Sequence, residues 1–398
     1  MIALIFALSA WALGLDEVRE IAVREAVEVE MSEARVDAAR ADAWVATGQA
    51  LPSVAGFVDL SAGAGMTSFG FERPTRTVLG IGVSARWQVV DPATWAAAAA
   101  ARGSARGQEA MLRWTRSEAR RQATSAYAQA LAAEEVRRAW AGAALDAEEA
   151  RSAVEALVGA GLRPSADLSM ARADAARIRA RLAWAEAEQA ARCAALQGLL
   201  RQEVDGRCEL VPVDWGPPAP GPGRHPALDA AQEALAVARA QRTASTWALA
   251  PTAEAWASRA RYEVGGADGG PAWNAGVGVD VPLAAGGAGH SARSAERARV
   301  REAEVELEAQ ERTLAVARFA AEARLGAART SVEALRESQQ AAEVALRDVD
   351  ERYQAGLEGV ITWLAARRAR DEASVGLAEA GAVVGEALAE VESARGVW

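Results

Sequence analysis

Ala160-Gly161-Leu162 recurs 195 positions later as Ala355-Gly356-Leu357, and this repetition indicates how the chain is organised. Leu51-Pro52-Ser53 recurs more loosely as Ala250-Pro251-Thr252. Around these repeated motifs, both halves of the chain have the same order of elements: a helix, two strands, a very long helix, a turn and a returning helix. Because a recurring order of elements indicates an internal repeat, the sequence predicts two tandem copies of one unit. Each copy is a β-hairpin followed by a long helical hairpin.

The boundaries of these repeats follow from prolines, glycines and apolar periodicity. We predict a signal peptide at 1–12, a first repeat at 13–204, a Pro/Gly-rich linker at 205–225 and a second repeat at 226–398. The first repeat contains a helix at 15–49, a β-hairpin at 53–90 and a helical hairpin at 93–204 with its tip near 159–166. The second contains a helix, a β-hairpin at 252–283 and a helical hairpin at 288–394 with its tip near 354–360. The longest helices would measure about 100 Å, which requires packing against neighbouring helices.

The composition suits long helices and argues against several classes of function. The 398 residues are 51% hydrophobic but only 5% aromatic, as in closely packed, alanine-rich helices. The net charge of −10 argues against a nucleic-acid partner, and the absence of lysine excludes a P-loop. Neither His225 nor His290 has neighbours at metal-ligand spacing, and the sequence contains no nucleophile elbow or dinucleotide fingerprint. We therefore expect no enzyme activity and no cofactor.

The N-terminus and the cysteines bear on cellular location. Residues 1–13 are apolar and end near Ala10-Trp11-Ala12, which has the small-x-small form of a signal-peptidase site. The alternative is an uncleaved hydrophobic N-terminus. Export would permit a disulfide between Cys193 and Cys208, but free thiols are an equal alternative because the sequence does not give the separation of these residues.

The strand at 77–90 has two different faces. Its apolar and polar residues alternate over about eleven residues, the length of a tilted membrane-spanning strand. The predicted lipid-facing residues of this strand and its counterpart are Leu79, Ile81, Val83, Trp87, Val277 and Val279. The predicted lumen residues are Arg86, Gln88, Asn274 and Asp280. Trp87, Trp273 and Phe57 are candidates for an interfacial aromatic belt.

Four such strands cannot form a closed sheet. Open edges in hydrocarbon leave backbone groups unpaired, and single-chain barrels begin at eight strands. Closure therefore needs at least two copies of the chain, and three copies would supply twelve strands.

Several short motifs mark the junctions of the predicted elements: Leu15-Asp16-Glu17, Leu51-Pro52, His225-Pro226-Ala227-Leu228, Val281-Pro282-Leu283 with Gly286-Gly287, and Tyr353-Gln354-Ala355-Gly356-Leu357. Together they resemble the TolC-type outer-membrane efflux family. The resemblance implies a mainly α fold with membrane β structure. It also implies a homotrimer whose 12-stranded β-barrel in the outer membrane continues into a periplasmic α-helical barrel. Such proteins are exit ducts of tripartite efflux pumps or type I secretion systems. Their partners are outer-membrane lipid, a periplasmic adaptor (membrane fusion) protein and an inner-membrane transporter of the RND, ABC or MFS type.

The resemblance also implies roles for residues at the helical tips. Asp167 and Tyr353 match a polar link that closes the periplasmic gate. Gly161, Leu162, Gly356 and Leu357 match adaptor-contact tips. The family's second link needs an arginine where this chain has Glu358, and its second-hairpin acidic positions are Thr362 and Ala365 here. Read without the resemblance, Asp167 is a helix-dipole partner, Tyr353 is a packing residue and both glycines end helices.

A second function from a different class fits part of the pattern. A periplasmic coiled-coil scaffold or adaptor-like protein without a pore would also have long helical hairpins. It should not expose the apolar faces of 79–89 and 273–283, so these two segments discriminate between the hypotheses.

Overall fold

The computed structural model describes residues 13–63, 76–221, 223–247, 250–264, 267–281 and 288–397. The predicted signal peptide and the motif from Pro282 to Gly287 lie outside the described residues. No helix in the described part of the chain is both long and apolar enough to cross a membrane.

Helices make up most of the described structure, which confirms the prediction of a mainly α fold with a small amount of β structure. The seven helices are α1 (Leu15–Glu25), α2 (Val27–Gly48), α3 (Pro92–Gly159), α4 (Ser165–Leu199), α5 (Pro226–Trp247), α6 (Ala288–Gln354) and α7 (Val360–Ala394). The four strands are β1 (Ser53–Gly63), β2 (Arg76–Val90), β3 (Thr252–Val264) and β4 (Ala267–Asp280). The expected single helix at 15–49 is wrong. Ala26, with an extended backbone (φ −64°, ψ 126°), separates α1 from α2.

The chain divides into two compact units, each made of segments from both sequence repeats. Unit 1 comprises Met1–Ser32, Leu112–Pro226 and Arg312–Trp398, and unit 2 comprises Glu33–Met111 and Ala227–Glu311.

Unit 2 contains a four-stranded antiparallel sheet with the order β1-β2-β3-β4. Asp91, directly after β2, caps the start of α3, because its carboxylate accepts hydrogen bonds from the backbone N–H groups of Ala93 and Thr94. Pro92 occupies the first helical position, where a missing N–H group costs nothing. The strand-to-helix junction is therefore set by local sequence.

Unit 1 has a core in which α1, α3 and α4 meet the segment that follows α4. Val18, Tyr127 and Leu196 are fully buried there. The Tyr127 hydroxyl lies 2.9 Å from the carbonyl oxygen of Leu13 and 2.6 Å from that of Val211.

A disulfide joins α4 to the segment after it. It links Cys193 to Cys208, with their Cα atoms 5.6 Å apart. This finding decides between the two alternatives that the sequence left open.

The two helical tips of unit 1 have the same backbone geometry. Gly161 and Gly356 adopt left-handed conformations with φ of 72° and 75°. The N–H groups of the following residues, Leu162 and Leu357, donate to carbonyl oxygens of the last helical turns at 2.9 Å. This is the Schellman ending, for which glycine is the preferred residue. Both repeated glycines thus have a structural role in ending α3 and α6.

Candidate functional site

The tip region of unit 1 is organised around Tyr353, near the end of α6. Its ring stacks on that of Trp363 in α7, with ring centres 4.5 Å apart and planes within 3°. The indole N–H group of Trp363 donates to Oδ1 of Asp350 at 2.8 Å. Val154 and Val360 complete a buried cluster around these rings. The aromatic pair therefore attaches α7 to α6 just behind the tip.

Arg163 reaches from the first tip to the second. Its Nη2 donates to the carbonyl oxygen of Tyr353 at 2.8 Å and to that of Glu358 at 3.4 Å. Its guanidinium carbon lies 4.5 Å from the centre of the Tyr353 ring. Sequence reasoning missed this residue because it looked for an arginine only at position 358. The available signal was that Arg163 follows Gly161 at the spacing with which Glu358 follows Gly356.

The polar link expected between Asp167 and Tyr353 is not a hydrogen bond in this structure. Both residues are buried, at 9% and 4% exposure. The Tyr353 hydroxyl has no hydrogen-bonding partner within the described chain. Stacking on Trp363 and contact with Arg163 hold the ring in place and leave the hydroxyl unpaired. Burial raises the pKa of Tyr353, Arg163 opposes the rise and the charge of Asp167 adds to it.

The tip residues predicted to contact an adaptor are accessible. Leu162 and Leu357 are exposed although apolar, and the Cα positions of Gly161 and Gly356 face open space. The adaptor contact itself stays a prediction.

Two groups of ion pairs join α7 to the first helical hairpin. Asp174 of α4, only 2% exposed, accepts from Arg177 at 3.0 Å and from Arg368 of α7 at 2.9 Å. Arg370 of α7 contacts Asp371 at 2.6 Å and Asp146 of α3 at 2.8 Å. Burial raises the pKa of Asp371, and the hydrogen bond from Arg370 opposes that rise. The sequence contained no signal for these pairs, because charged residues on long helices are usually solvated.

One face of the sheet in unit 2 is polar and lines a cleft. Arg86, Gln88, Asn274 and Asp280, the four predicted lumen residues, all lie along this cleft. Arg86 forms an ion pair with Glu254 at 2.7 Å, and the hydroxyl of Ser258 hydrogen bonds to the side chain of Asn274.

Phe57 lies on the same polar face, so its assignment to an outward aromatic belt is wrong. The pairing of Phe57 with Gly82 places it there, because paired residues of adjacent strands point to the same side.

The opposite face of the sheet is mostly apolar and exposed. It carries the predicted lipid-facing side chains; Ile81, Val83, Trp87, Val277 and Val279 are exposed, and Leu79 is half-buried. The register also places Arg259 and Arg261 on this face, beside Val83 and Ile81. The predicted hairpin at 252–283 includes both arginines, but sequence reasoning assigned neither of them to a face of the sheet.

Nothing in the described chain forms a metal site. No group of three or more His, Cys, Asp or Glu residues within it could hold a metal ion. His225 is a buried structural residue: its Nε2 lies 3.2 Å from the carbonyl oxygen of Ser393, and its ring centre lies 4.8 Å from that of Trp114.

Comparison with known proteins identifies relatives along most of the chain. A family model described as "Outer membrane efflux protein" matches residues 19–200 and 223–397. The open state of the Neisseria gonorrhoeae MtrE outer membrane channel is 21% identical, with a TM-score of 0.82, and the match covers 96% of this chain and 88% of that chain. The Campylobacter jejuni CmeC outer membrane channel is 16% identical, with a TM-score of 0.82 and coverage of 96% and 85%. The Vibrio cholerae outer membrane protein VceC is 18% identical, with a TM-score of 0.81 and coverage of 96% of both chains. No curated protein sequence matches the chain.

Proposed function

The chain belongs to the outer membrane efflux protein family, and from this premise we propose that it is the exit duct of a tripartite efflux pump or type I secretion system. The family comprises outer-membrane channels, which are not enzymes, and its members reside in the cell outer membrane. The proposal adds an assembly, a gate and partners to that family assignment.

The observation that carries the proposal is the contrast between the two faces of the sheet. One face has the ion pair of Arg86 with Glu254 in a polar cleft, and the other exposes Ile81, Val83 and Val277. A soluble scaffold would bury such an apolar face, because exposed apolar area of this extent is costly in water. The wall of a channel instead requires one face toward lipid and one face toward the water-filled lumen.

Three copies of the chain would close the sheet. Strands β1 and β4 form the edges of the four-stranded sheet, so their outer backbone groups lack partners within it. In a homotrimer, β4 of one copy would pair with β1 of the next and give a 12-stranded barrel. The helices would then extend it as a periplasmic helical barrel, as the resemblance implies.

The gate would lie at the tips of unit 1, with Asp167 and Tyr353 as its polar residues. Both side chains are buried close to the tip turns, and the unpaired hydroxyl of Tyr353 can form a new hydrogen bond after a small movement. The neighbouring turns at Leu162 and Leu357 would receive a periplasmic adaptor protein, since they are exposed and apolar. An inner-membrane transporter would supply the energy.

Bilayer recordings test the duct directly. The purified full-length protein is added to a planar bilayer, and discrete single-channel conductance is expected together with trimers in mild detergent. Asp280→Arg reverses a charge on the polar face and should alter ion selectivity. Glu372→Arg on exposed helical surface is a charge-matched control for overall protein charge. A soluble monomer that gives no conductance would favour the periplasmic scaffold instead.

A further inference from the structure

Two arginines interrupt the apolar face of the sheet. Alternation along β3 places Arg259 and Arg261 on the side opposite to the polar cleft. Arg259 is flanked by Val83 of β2 and Trp273 of β4, and Arg261 pairs with Ile81. Both arginines are exposed. Their spacing of two residues puts their Cα atoms about 6.6 Å apart on one face.

The position of the pair along the strands locates it relative to the membrane. The helices join the sheet at the end marked by Val90 and Thr252, whereas Arg259 and Arg261 lie toward the β3–β4 turn. If the helices occupy the periplasm, the turn end of the sheet faces the outer leaflet. An arginine on a lipid-facing strand is costly at the membrane midplane and close to neutral near the interface. The pair therefore belongs at the outer boundary of the hydrocarbon.

Two further features agree with a position of the two arginines at the outer boundary of the hydrocarbon. Trp273, beside Arg259, is 80% exposed, and tryptophan is enriched at the membrane–water interface. On β2 the apolar residues continue to Leu79, which pairs with Glu263, so the apolar region ends earlier on β3 than on β2. Strands of membrane barrels are tilted, and a plane of constant depth then crosses adjacent strands at different registers. A diagonal boundary of this kind is the expected result.

We propose that Arg259 and Arg261 form a binding site for the phosphate groups of lipid A in the outer leaflet. This inference rests on the proposed function, because it needs the strands to cross the outer membrane. A guanidinium forms paired, charge-assisted hydrogen bonds with phosphate oxygens. The flanking Val83 and Ile81 offer an apolar surface to the acyl chains. Glu263, two residues after Arg261 and paired with Leu79, is an acidic residue on the turn side of the arginines.

Thermal stabilisation of the full-length protein in mild detergent measures the binding. Bis-phosphorylated lipid A is titrated, and a rise in Tm reports binding to the folded state. Arg259→Gln/Arg261→Gln should weaken the apparent affinity roughly 30-fold, because each arginine near an anionic membrane surface contributes about a factor of five. Arg86→Gln removes the same charge from the other face of the sheet, and its affinity should equal that of the wild type. Lipid A without phosphates should produce a much smaller shift.

The results of this experiment distinguish a failure of the lipid-binding proposal from a failure of the proposed exit-duct function. Equal affinity in the double variant and the wild type, or an equal Tm shift with lipid A that lacks phosphates, would overturn the lipid site. If the double variant does not assemble, Arg259→Gln and Arg261→Gln are measured singly, each with an expected loss of about fivefold. Arg259→Lys/Arg261→Lys keeps both charges but loses the paired hydrogen bonds, so its affinity should lie between those of the wild type and the glutamine double variant. Conductance of the wild type in bilayers free of lipid A tests the duct alone, since the lipid site does not line the channel.

Discussion

Arg163 connects the two helical tips of unit 1 through the backbone of Tyr353. The 2.8 Å hydrogen bond ends on a carbonyl in the last turn of α6, and the guanidinium lies 4.5 Å from the ring centre of the same residue. Carbonyl groups in the last helical turn have few intrahelical partners, and a cation there is favoured by the helix dipole. The first tip thereby stabilises the end of the second long helix.

Arg163→Ala should loosen this connection. Loss of a charge-assisted hydrogen bond and a cation–π contact should lower the free energy of unfolding by about 2 kcal/mol. Thermal denaturation measures the change, and bilayer recordings should show more frequent opening. Arg172→Ala is the matched control, because the ion pair of Arg172 with Glu155 stays within the first helical hairpin. The same conductance in both variants would contradict a role for Arg163 in gating.

Tyr353→Phe separates a gating role from a packing role. Within the protomer the hydroxyl is buried and unpaired, so its removal should leave stability unchanged or raise it by about 1 kcal/mol. If the hydroxyl bonds with Asp167 during closure, conductance or drug leakage should nevertheless rise. Asp167→Asn should have a similar effect on conductance. A variant with ordinary conductance and ordinary stability would show that Tyr353 serves only in packing.

Removal of Asp174 should cost less stability than removal of its two arginine partners. Asp174→Ala leaves Arg177 and Arg368, whose side chains are 34% and 47% exposed and can be solvated, so we expect a loss of about 2 kcal/mol. Arg177→Ala/Arg368→Ala leaves a carboxylate that is 2% exposed without a cation, and the loss should be about 3–5 kcal/mol. Denaturant unfolding of both variants gives the comparison. A larger loss in Asp174→Ala would contradict this explanation.

Cys193→Ser/Cys208→Ser should destabilise unit 1. The two cysteines are 15 residues apart, and closing a loop of that length contributes about 3 kcal/mol in the chain-entropy model. The variant should have a lower Tm than the oxidised wild type. Treatment of the wild type with a reductant should lower its Tm to that of the variant, and the variant itself should not respond to reductant.

The acid response of unit 1 should depend on Glu118. A hydrogen bond from Arg121 holds the pKa of Glu118 below its ordinary value. A lowered folded pKa contributes stability above the unfolded pKa, and this contribution is lost as the pH falls from about 4.5 through the folded value. Glu118→Gln should therefore flatten the loss of stability below pH 4.5.

Substitution of Asp371 should change the pH dependence of stability in the opposite direction to substitution of Glu118. The folded pKa of Asp371 is raised, mainly by burial, so its contribution to stability is greatest below the unfolded value and decreases as the pH rises through the folded pKa. Asp371→Asn should therefore steepen the loss of stability on acidification. Unfolding measured from pH 3 to pH 7 tests both residues, and parallel profiles for the two variants would contradict the assignment.

Local chemistry was sufficient for the elements and their ends. Regular alternation gave the strand at 77–90 its two faces, Pro and Gly marked the segment after α4, and the repeated glycines at 161 and 356 ended both long helices. Even the grouping of Arg86, Gln88, Asn274 and Asp280 followed from alternation once the strands paired. These features depend on neighbours within a few residues, which the sequence displays directly.

What the repetition of Ala-Gly-Leu could not determine was how the two copies interact. The glycine at each tip was sufficient to predict a turn there, since glycine adopts a left-handed backbone more readily than residues with a side chain. Tertiary structure decided that Arg163 of one tip bonds to Tyr353 of the other, that the Tyr353 hydroxyl stays unpaired, and that Asp174 is buried between two arginines. The hydrogen bonds of Arg163 with Tyr353 and of Arg368 with Asp174 join residues about 190 positions apart in the chain. Their energies depend on burial and on the distance between charges, and both quantities exist only after the helices have packed.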